Sequence, residues 1–548
     1  MIVKSFLNLS GKIFTLCIVA CFNAAALFAQ TPAPIKEKVD ERYINWYNKD
    51  YSAPDTAGIG TEKAYNDLLK NMKSQTVIVA VIDGGVDTTH EDLKGKIWTN
   101  EKEIPGNGID DDHNGFIDDV HGWNFLGNAK GENIEYEELE VTRLYKKYAD
   151  RFGNKSAKQI SEGDKADYKQ YLVIEAAYLK ELIKAKQNQQ LYTRFMDAYN
   201  NADSTVKKYL KKNKYTVDDL KAVKSYNNEV NDAASMLIVL DQSGLTKPKL
   251  EELKEHEDSR IAYHLNPDYN PRSDVIGDDP EKLNDMPYGN NDVMGPNPSH
   301  GIFVSGIIAA IRNNSIGIDG IADNVKIMPI RAIPDGDERD KDVANAIRYA
   351  VDNGAQIINM SFGKDYSPQK KFVDDAILYA ESKGVLLVQA SGNDAKDIDK
   401  ESNFPSSKNM NYGNLSSWIT VGASSMYMDK NLVASFSNYG RKTVDLFAPG
   451  VDIYGLKPHN KYELGDGTSY AAPMVSGVAA LLKSYFPQLS GQQLKNILMQ
   501  SGTQHKKLRV YKPSEEGKKG KKKFFKLSVS GSELNTYNAV KMATQIAR

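Results

Sequence analysis

Thr76-Val77-Ile78-Val79-Ala80-Val81-Ile82-Asp83-Gly84-Gly85 is a run of β-branched and apolar residues that stops at an acid and two glycines. A strand without polar alternation is apolar on both faces, the habit of parallel sheets covered by helices. Similar runs recur at 325–330, at Ile357-Ile358-Asn359-Met360, at 385–388 and at 418–421. Helical patterns lie between them. Residues 342–353 place Val343, Ile347, Ala350 and Val351 on one face before Gly354; residues 372–383 do the same with Ile377, Leu378 and Ala380 before Gly384. The alternation predicts an α/β domain with a mainly parallel central sheet.

Residues 130–260 interrupt that pattern. Lys, Glu, Tyr and Asn dominate at helical spacing, with Tyr171, Leu172, Leu179 and Leu182 on one expected face. Phe195, Tyr199, Val206 and Leu210 form another, and Leu220, Val223 and residues 236–240 continue the pattern. Three or four amphipathic helices inserted into the α/β domain are expected. Near the end, the basic run Lys518-Lys519-Gly520-Lys521-Lys522-Lys523 is flanked by glycines and reads as an exposed loop.

The whole chain has 548 residues, 70 Lys plus Arg against 72 Asp plus Glu, and a formal charge of −2. Such a balance points away from nucleic acid and from an anionic membrane. With 41% hydrophobic residues, 17 Phe and 30 Tyr, disorder throughout is excluded. Both cysteines, Cys17 and Cys21, fall in the first thirty residues, so neither a disulfide framework nor a thiolate metal cage is available to the rest. Lys4 and Lys12, the apolar run 13–20 and the alanine-rich stretch to Ala29 describe an export signal. Its removal leaves 68 bases against 72 acids and no cysteine. Ile18-Val19-Ala20-Cys21 loosely resembles a bacterial lipidation site, and membrane attachment is expected only if Cys21 is lipidated.

Several chemistries are absent. His90-Glu91 is followed by Lys94 where a zinc helix needs a second histidine. There is no phosphate loop, and Gly467-Thr468-Ser469-Tyr470-Ala471 lacks the last glycine of a nucleophile elbow. Three boundary sites remain. Asp83 ends a buried strand, at the sheet edge where ligands bind in open α/β folds. His300 opens the apolar, small-residue segment 300–310, and Ser469 opens a similar one at 467–477. A serine at a helix start lies among partly positive N–H groups that favour a developing oxyanion. Each site alone also reads as a turn residue, a structural histidine or a helix cap. Their order, Asp then His then Ser, is that of one established catalytic triad.

On these residues the chain resembles the subtilisin-like serine peptidases, the subtilase or S8 family. The resemblance rests on His300-Gly301-x-x-Val304-x-Gly306 and Gly467-Thr468-Ser469-x-Ala471-x-Pro473, and covers roughly residues 75–125 and 260–545. It implies a three-layer subtilisin-like fold, with Asp83, His300 and Ser469 as catalytic residues. It also implies that Ser361, Phe362 and Gly363 line one wall of a substrate cleft. Ala390, Ser391 and Gly392 would line the other, with Asn393 donating to the oxyanion. The expected organisation is a signal peptide (1–29), an N-terminal extension (30–74), a first catalytic part with an acidic loop (75–129), the insertion (130–260) and a second catalytic part (261–548). Protein or peptide substrates, an exported monomer and no cofactor required for chemistry follow. The competing expectation is a catalytically inactive binding protein of the same fold.

Three positions depart from the family pattern: Gly84 replaces the usual Ser or Thr, Ile302 the usual Thr, and Phe303 a common His. The stretch 30–74 is short for a folded inhibitory propeptide; Tyr43, Trp46 and Tyr47 suggest instead that it packs on the domain. Asp110, Asp112, Asn114 and Asp118, with Gly115 between them, have the spacing of the first part of a calcium loop, and Asp119 stands in for its distal acid. A structural calcium ion is therefore expected there.

Overall fold

The computed structural model describes residues 39–50, 56–284, 286–409, 413–514 and 520–546. The signal expected over 1–29, with Cys21, lies outside the described residues, as do Lys518 and Lys519 of the basic run. The chain divides into two compact units, one of residues 141–269 and one of residues 39–140 together with 270 onward.

The second unit is built on a sheet with nine strands among the described residues. They are β1 (Val77–Asp83), β2 (Trp123–Asn124), β3 (Val325–Arg331), β4 (Ile357–Met360), β5 (Leu386–Ala390), β6 (Trp418–Ser424), β7 (Leu446–Pro449), β8 (Thr503–Gln504) and β9 (Ser532–Glu533). Their spatial order is β8-β9-β7-β6-β5-β4-β1-β3-β2, and every pair but β8–β9 is parallel. The order reverses at β1, which pairs with β3 from Val77–Val325 to Asp83–Arg331 and with β4 from Val79–Ile357 to Ile82–Met360. A reversal of this kind opens a crevice at the carboxyl ends of the strands, and Asp83 stands at its edge.

Alternation along β1 explains the layers. Val79 and Val81 join a core with the helices Ser299–Ala309 and Thr468–Tyr485, while Ala80 and Ile82 join a second core with Asp340–Asp352 and Lys370–Ser382. The result is helix, sheet, helix. Ahead of β1, Trp46 and Tyr47 are buried in the first of these cores, and the Trp46 indole donates to the Asp452 carbonyl at 2.9 Å.

The unit at 141–269 is helical. Its longest helix, Lys165–Leu210, has 46 residues, and Asn228–Gln242 and Lys247–Ser259 follow. Ala202, Val206, Leu220, Ala233, Ala234 and Leu237 make a core of its own. The face expected from Tyr171, Leu172, Leu179 and Leu182 does not form. Tyr171, Ile174, Tyr178 and Ala185 are buried, whereas Leu172 and Leu179 are exposed. Residues 171 and 172 differ by about 100° around a helix, so only one of them can face a given neighbour.

A buried ionic cluster in the second unit joins the two chain segments that flank the helical unit. The wholly buried Arg272 lies against Glu137, Asp278 and Asp342, and Lys341 reaches Asp278 at 2.9 Å. Lys364, also buried, pairs with Glu140 at 2.8 Å and Asp340 at 2.9 Å. The basic run is not a loop where it is described: Lys521–Lys523 is a strand paired antiparallel with Arg509–Tyr511. No helix among the described residues is long and apolar enough to cross a membrane.

Candidate active site

Asp83 is 3% exposed, and its carboxylate oxygens lie 2.8 and 2.9 Å from His300 Nδ1. Oδ1 also accepts the Gly84 N–H at 2.7 Å, so the acid is fixed before the imidazole meets it. His300 is the second residue of the helix Ser299–Ala309, with its side chain 41% exposed. Gly301 permits this approach, since a Cβ there would overlap the Gly85 carbonyl. Burial works to lower the His300 pKa, but the charge of Asp83 and its hydrogen bond outweigh it, and the imidazole ends above its ordinary value.

Ser469 is likewise the second residue of its helix, Thr468–Tyr485. Its backbone N–H belongs to the first turn, where no intrahelical acceptor exists. Its hydroxyl donates to the Ser361 carbonyl at 3.2 Å, while the Ser361 hydroxyl donates back to the Ser469 carbonyl at 2.8 Å. Tyr470 connects the two helix starts. Its ring stacks on Phe303 at 4.0 Å and lies 6.0 Å from the His300 ring. Phe303 thus supports the tyrosine beside the serine.

Asn393 follows β5 on an exposed loop. Its Oδ1 accepts the Thr468 N–H and the Thr468 hydroxyl, both at 2.9 Å. A backbone N–H can only donate, so the amide oxygen faces Thr468 and the Nδ2 hydrogens face away. Gly392 N–H in turn donates to Thr468 Oγ1 at 3.1 Å, which fixes that hydroxyl. The buried Asn438 holds the loop from behind, donating to the Ser391 carbonyl at 2.9 Å and accepting from Lys396 N at 2.7 Å and Asp394 N at 3.1 Å. Gly392 has φ +98°, and a Cβ on it would overlap the Asn438 amide.

Beneath Ser469 runs a buried relay. Ser476, two turns along the same helix, donates to Asn359 Oδ1 at 2.8 Å, and Asn359 Nδ2 donates to Ser361 Oγ at 2.9 Å. Ser361, Phe362 and Gly363 leave the end of β4, and Ala390, Ser391 and Gly392 leave the end of the neighbouring β5. Residues from four elements are thereby gathered at the crevice beside β1. Thr468, Asn359, Ser476 and Asn438 were not singled out by the sequence reading. Thr468, Asn359 and Ser476 stood inside quoted stretches but were given no role, and Asn438 stood in none, because their partners are far away in sequence.

The acidic loop assembles differently from its expected ligand set. Carboxylate oxygens of Glu103, Asp110 and Asp112 lie within 4.8 Å of one another. Asp118 is not among them, because its carboxylate accepts the N–H groups of Gly106, Asn107 and Gly108 at 2.8, 3.2 and 2.8 Å. Asn114 Oδ1 accepts Phe116 N–H at 2.8 Å. Asp119 is buried and takes hydrogen bonds from Tyr349, Asn100 and Asn114; burial pushes its carboxyl up to about 6 against those bonds. Glu103 is 6% exposed, and its Oε2 has no hydrogen-bond partner among the described residues.

Against known proteins, residues 74–518 match the Subtilase family (Peptidase_S8). A thermophilic serine proteinase of Bacillus sp. strain AK1 is 43% identical over 187 residues, 34% of this chain and 43% of that one. Alkaline elastase YaB of Bacillus sp. strain YaB is 37% identical over 205 residues, 37% of this chain and 50% of its own. Subtilisin BL of Lederbergia lenta is 36% identical over 206 residues, 37% of this chain and 70% of its own. The matched stretches thus span half or less of the first two relatives.

Proposed function

Because this chain belongs to the subtilase family, we propose that it is an exported serine endopeptidase working through an acyl-enzyme. The observation that carries the reading is the buried Asp83 carboxylate held at 2.8 Å from His300 Nδ1. That bond puts the proton on Nδ1 and leaves Nε2 to act as the base. With a peptide in the crevice, Ser469 Oγ turns from the Ser361 carbonyl toward Nε2, gives up its proton and attacks the scissile carbonyl. His300 then returns the proton to the leaving amine, and Asp83 stabilises the imidazolium in between. Asn393 Nδ2 and the Ser469 N–H donate to the oxyanion, in the orientation that Thr468 imposes. Water reverses the sequence to free the acid product. Export is read from residues 1–29 alone.

Labelling with a fluorophosphonate tests the site directly. The wild-type chain takes one label and hydrolyses casein, and Ser469→Ala does neither. An unlabelled wild-type chain would reduce the protein to a binding module of this fold.

We also infer a structural calcium ion on the acidic loop. Its support is chemical: oxygen donors alone, converging from Glu103, Asp110 and Asp112, with a buried Glu103 oxygen that lacks a partner. The ion supplies positive charge to a loop that otherwise concentrates carboxylates; it takes no part in peptide hydrolysis.

A further inference from the structure

The hairpin of Arg509–Tyr511 and Lys521–Lys523 carries an unusual surface. Three aromatic rings there are each approached by two cations. Lys430 and Lys521 lie 5.8 and 5.5 Å from the Tyr511 ring, Lys512 and Lys522 lie 5.3 and 5.2 Å from Tyr439, and Arg441 and Lys523 lie 5.9 and 5.8 Å from Phe525. Among the described residues none of these six cations has a carboxylate partner. The cations of the neighbouring oxyanion loop are paired: Lys396 with Asp365 and Asp394, Lys400 with Asp397. Among the described residues, positive charge therefore accumulates on the hairpin, held by ring quadrupoles rather than by acids.

Its position matters as much as its sign. Ala395 N and Tyr439 N donate to Phe436 O and Lys396 O at 2.7 and 3.0 Å, so residues 436–439 run beside the Asn393 loop. On their other side Ser514 N donates to Ser435 O at 3.0 Å. Two such backbone steps, each about 4.8 Å wide, put Ser514 about 10 Å from the Asn393 loop, and Tyr511 of the hairpin lies three residues before it in the chain. A polypeptide lying in the cleft needs only a few further residues to reach it.

We propose that this hairpin is an exosite that draws acidic segments of polypeptide substrates to the cleft, a reading that rests on the peptidase assignment above. The occupant is a carboxylate-rich polypeptide rather than a sugar or nucleic acid chain. Tyr439 is buried, the other two rings are half-buried under their cations, and none offers a bare face for stacking. Uncompensated charge beside a cleft raises the rate of encounter with oppositely charged substrate and makes it salt-sensitive.

The test uses two fluorogenic peptides with one scissile core, tailed on both sides with glutamates or with glutamines, and the triple variant Lys430→Gln/Lys521→Gln/Lys523→Gln. The wild-type chain should cleave the glutamate peptide with kcat/KM about tenfold higher at low salt. That preference should vanish in the triple variant and at high salt, and the matching Lys→Arg variant should keep it. Both proteins should cleave the glutamine peptide alike, which separates the exosite from catalysis. Equal cleavage of the two peptides by the wild-type chain would overturn the exosite and leave the peptidase standing, as would a preference that survives in the triple variant. Should heparin or DNA bind this hairpin while both peptides are cleaved alike, the surface belongs to that polyanion and the proposal fails. Cleavage of neither peptide overturns the peptidase assignment and the exosite with it.

Discussion

The imidazole of His300 is where a single contact has most leverage. Its raised pKa means that the neutral base accumulates only above the ordinary histidine value of about 6.5. The acid limb of kcat/KM should therefore lie above that value, and Asp83→Asn should cut the rate by about 10⁴. The same pairing stabilises the fold below the free imidazole's pKa and loses that contribution as pH rises through the raised folded value. Asn393→Ala should lower kcat by about 10²–10³ with little change in KM, because under the proposed mechanism its Nδ2 acts only once the oxyanion exists. Steady-state kinetics across pH check both. The pairing of Asp83 with His300 was legible in the sequence because one ends an apolar strand and the other opens an apolar helix. Thr468 and Asn438, which aim Asn393, were not, since an aim is set by contacts across 75 and 42 positions of chain.

Among the elements, β1 and its four mainly apolar companions could be read directly, because strands covered on both faces carry no polar alternation to blur them. The two-residue strands β2, β8 and β9 left no such mark; they exist because a neighbour offers them a ladder. Lys521–Lys523 misled for the opposite reason, as its charge suggested solvent while its backbone found Arg509–Tyr511. The acidic loop differs from its spacing: Asp118 accepts backbone N–H groups, and Glu103 lies beside Asp110 and Asp112 instead. A chelator should lower the thermal midpoint, and Glu103→Gln should lower it too and abolish the chelator effect. Arg272→Met should cost about 3–5 kcal/mol in denaturant titration, because Asp342 stays buried without the counter-charge that Arg272 supplies.

For the molecule as a whole, the helical unit with its own core should melt by itself. Calorimetry should resolve two transitions. Leu237→Ala, which empties part of the helical core at about 2–5 kcal/mol, should lower one of them and leave the midpoint for fluorophosphonate labelling in place. A common shift of both would show one cooperative unit instead. The pairing of β1 with β3 carries a last consequence, for the order of events during synthesis. Asp83 and His300 stand 217 positions apart, and the strand that flanks β1 comes later still. Contacts of such long range form slowly and only after the intervening chain exists. While a ribosome is still translating the helices, the nascent polypeptide holds an aspartate without its histidine, and the serine emerges last. A chain interrupted anywhere before that helix lacks Ser469 and, under the mechanism proposed above, should hydrolyse no peptide.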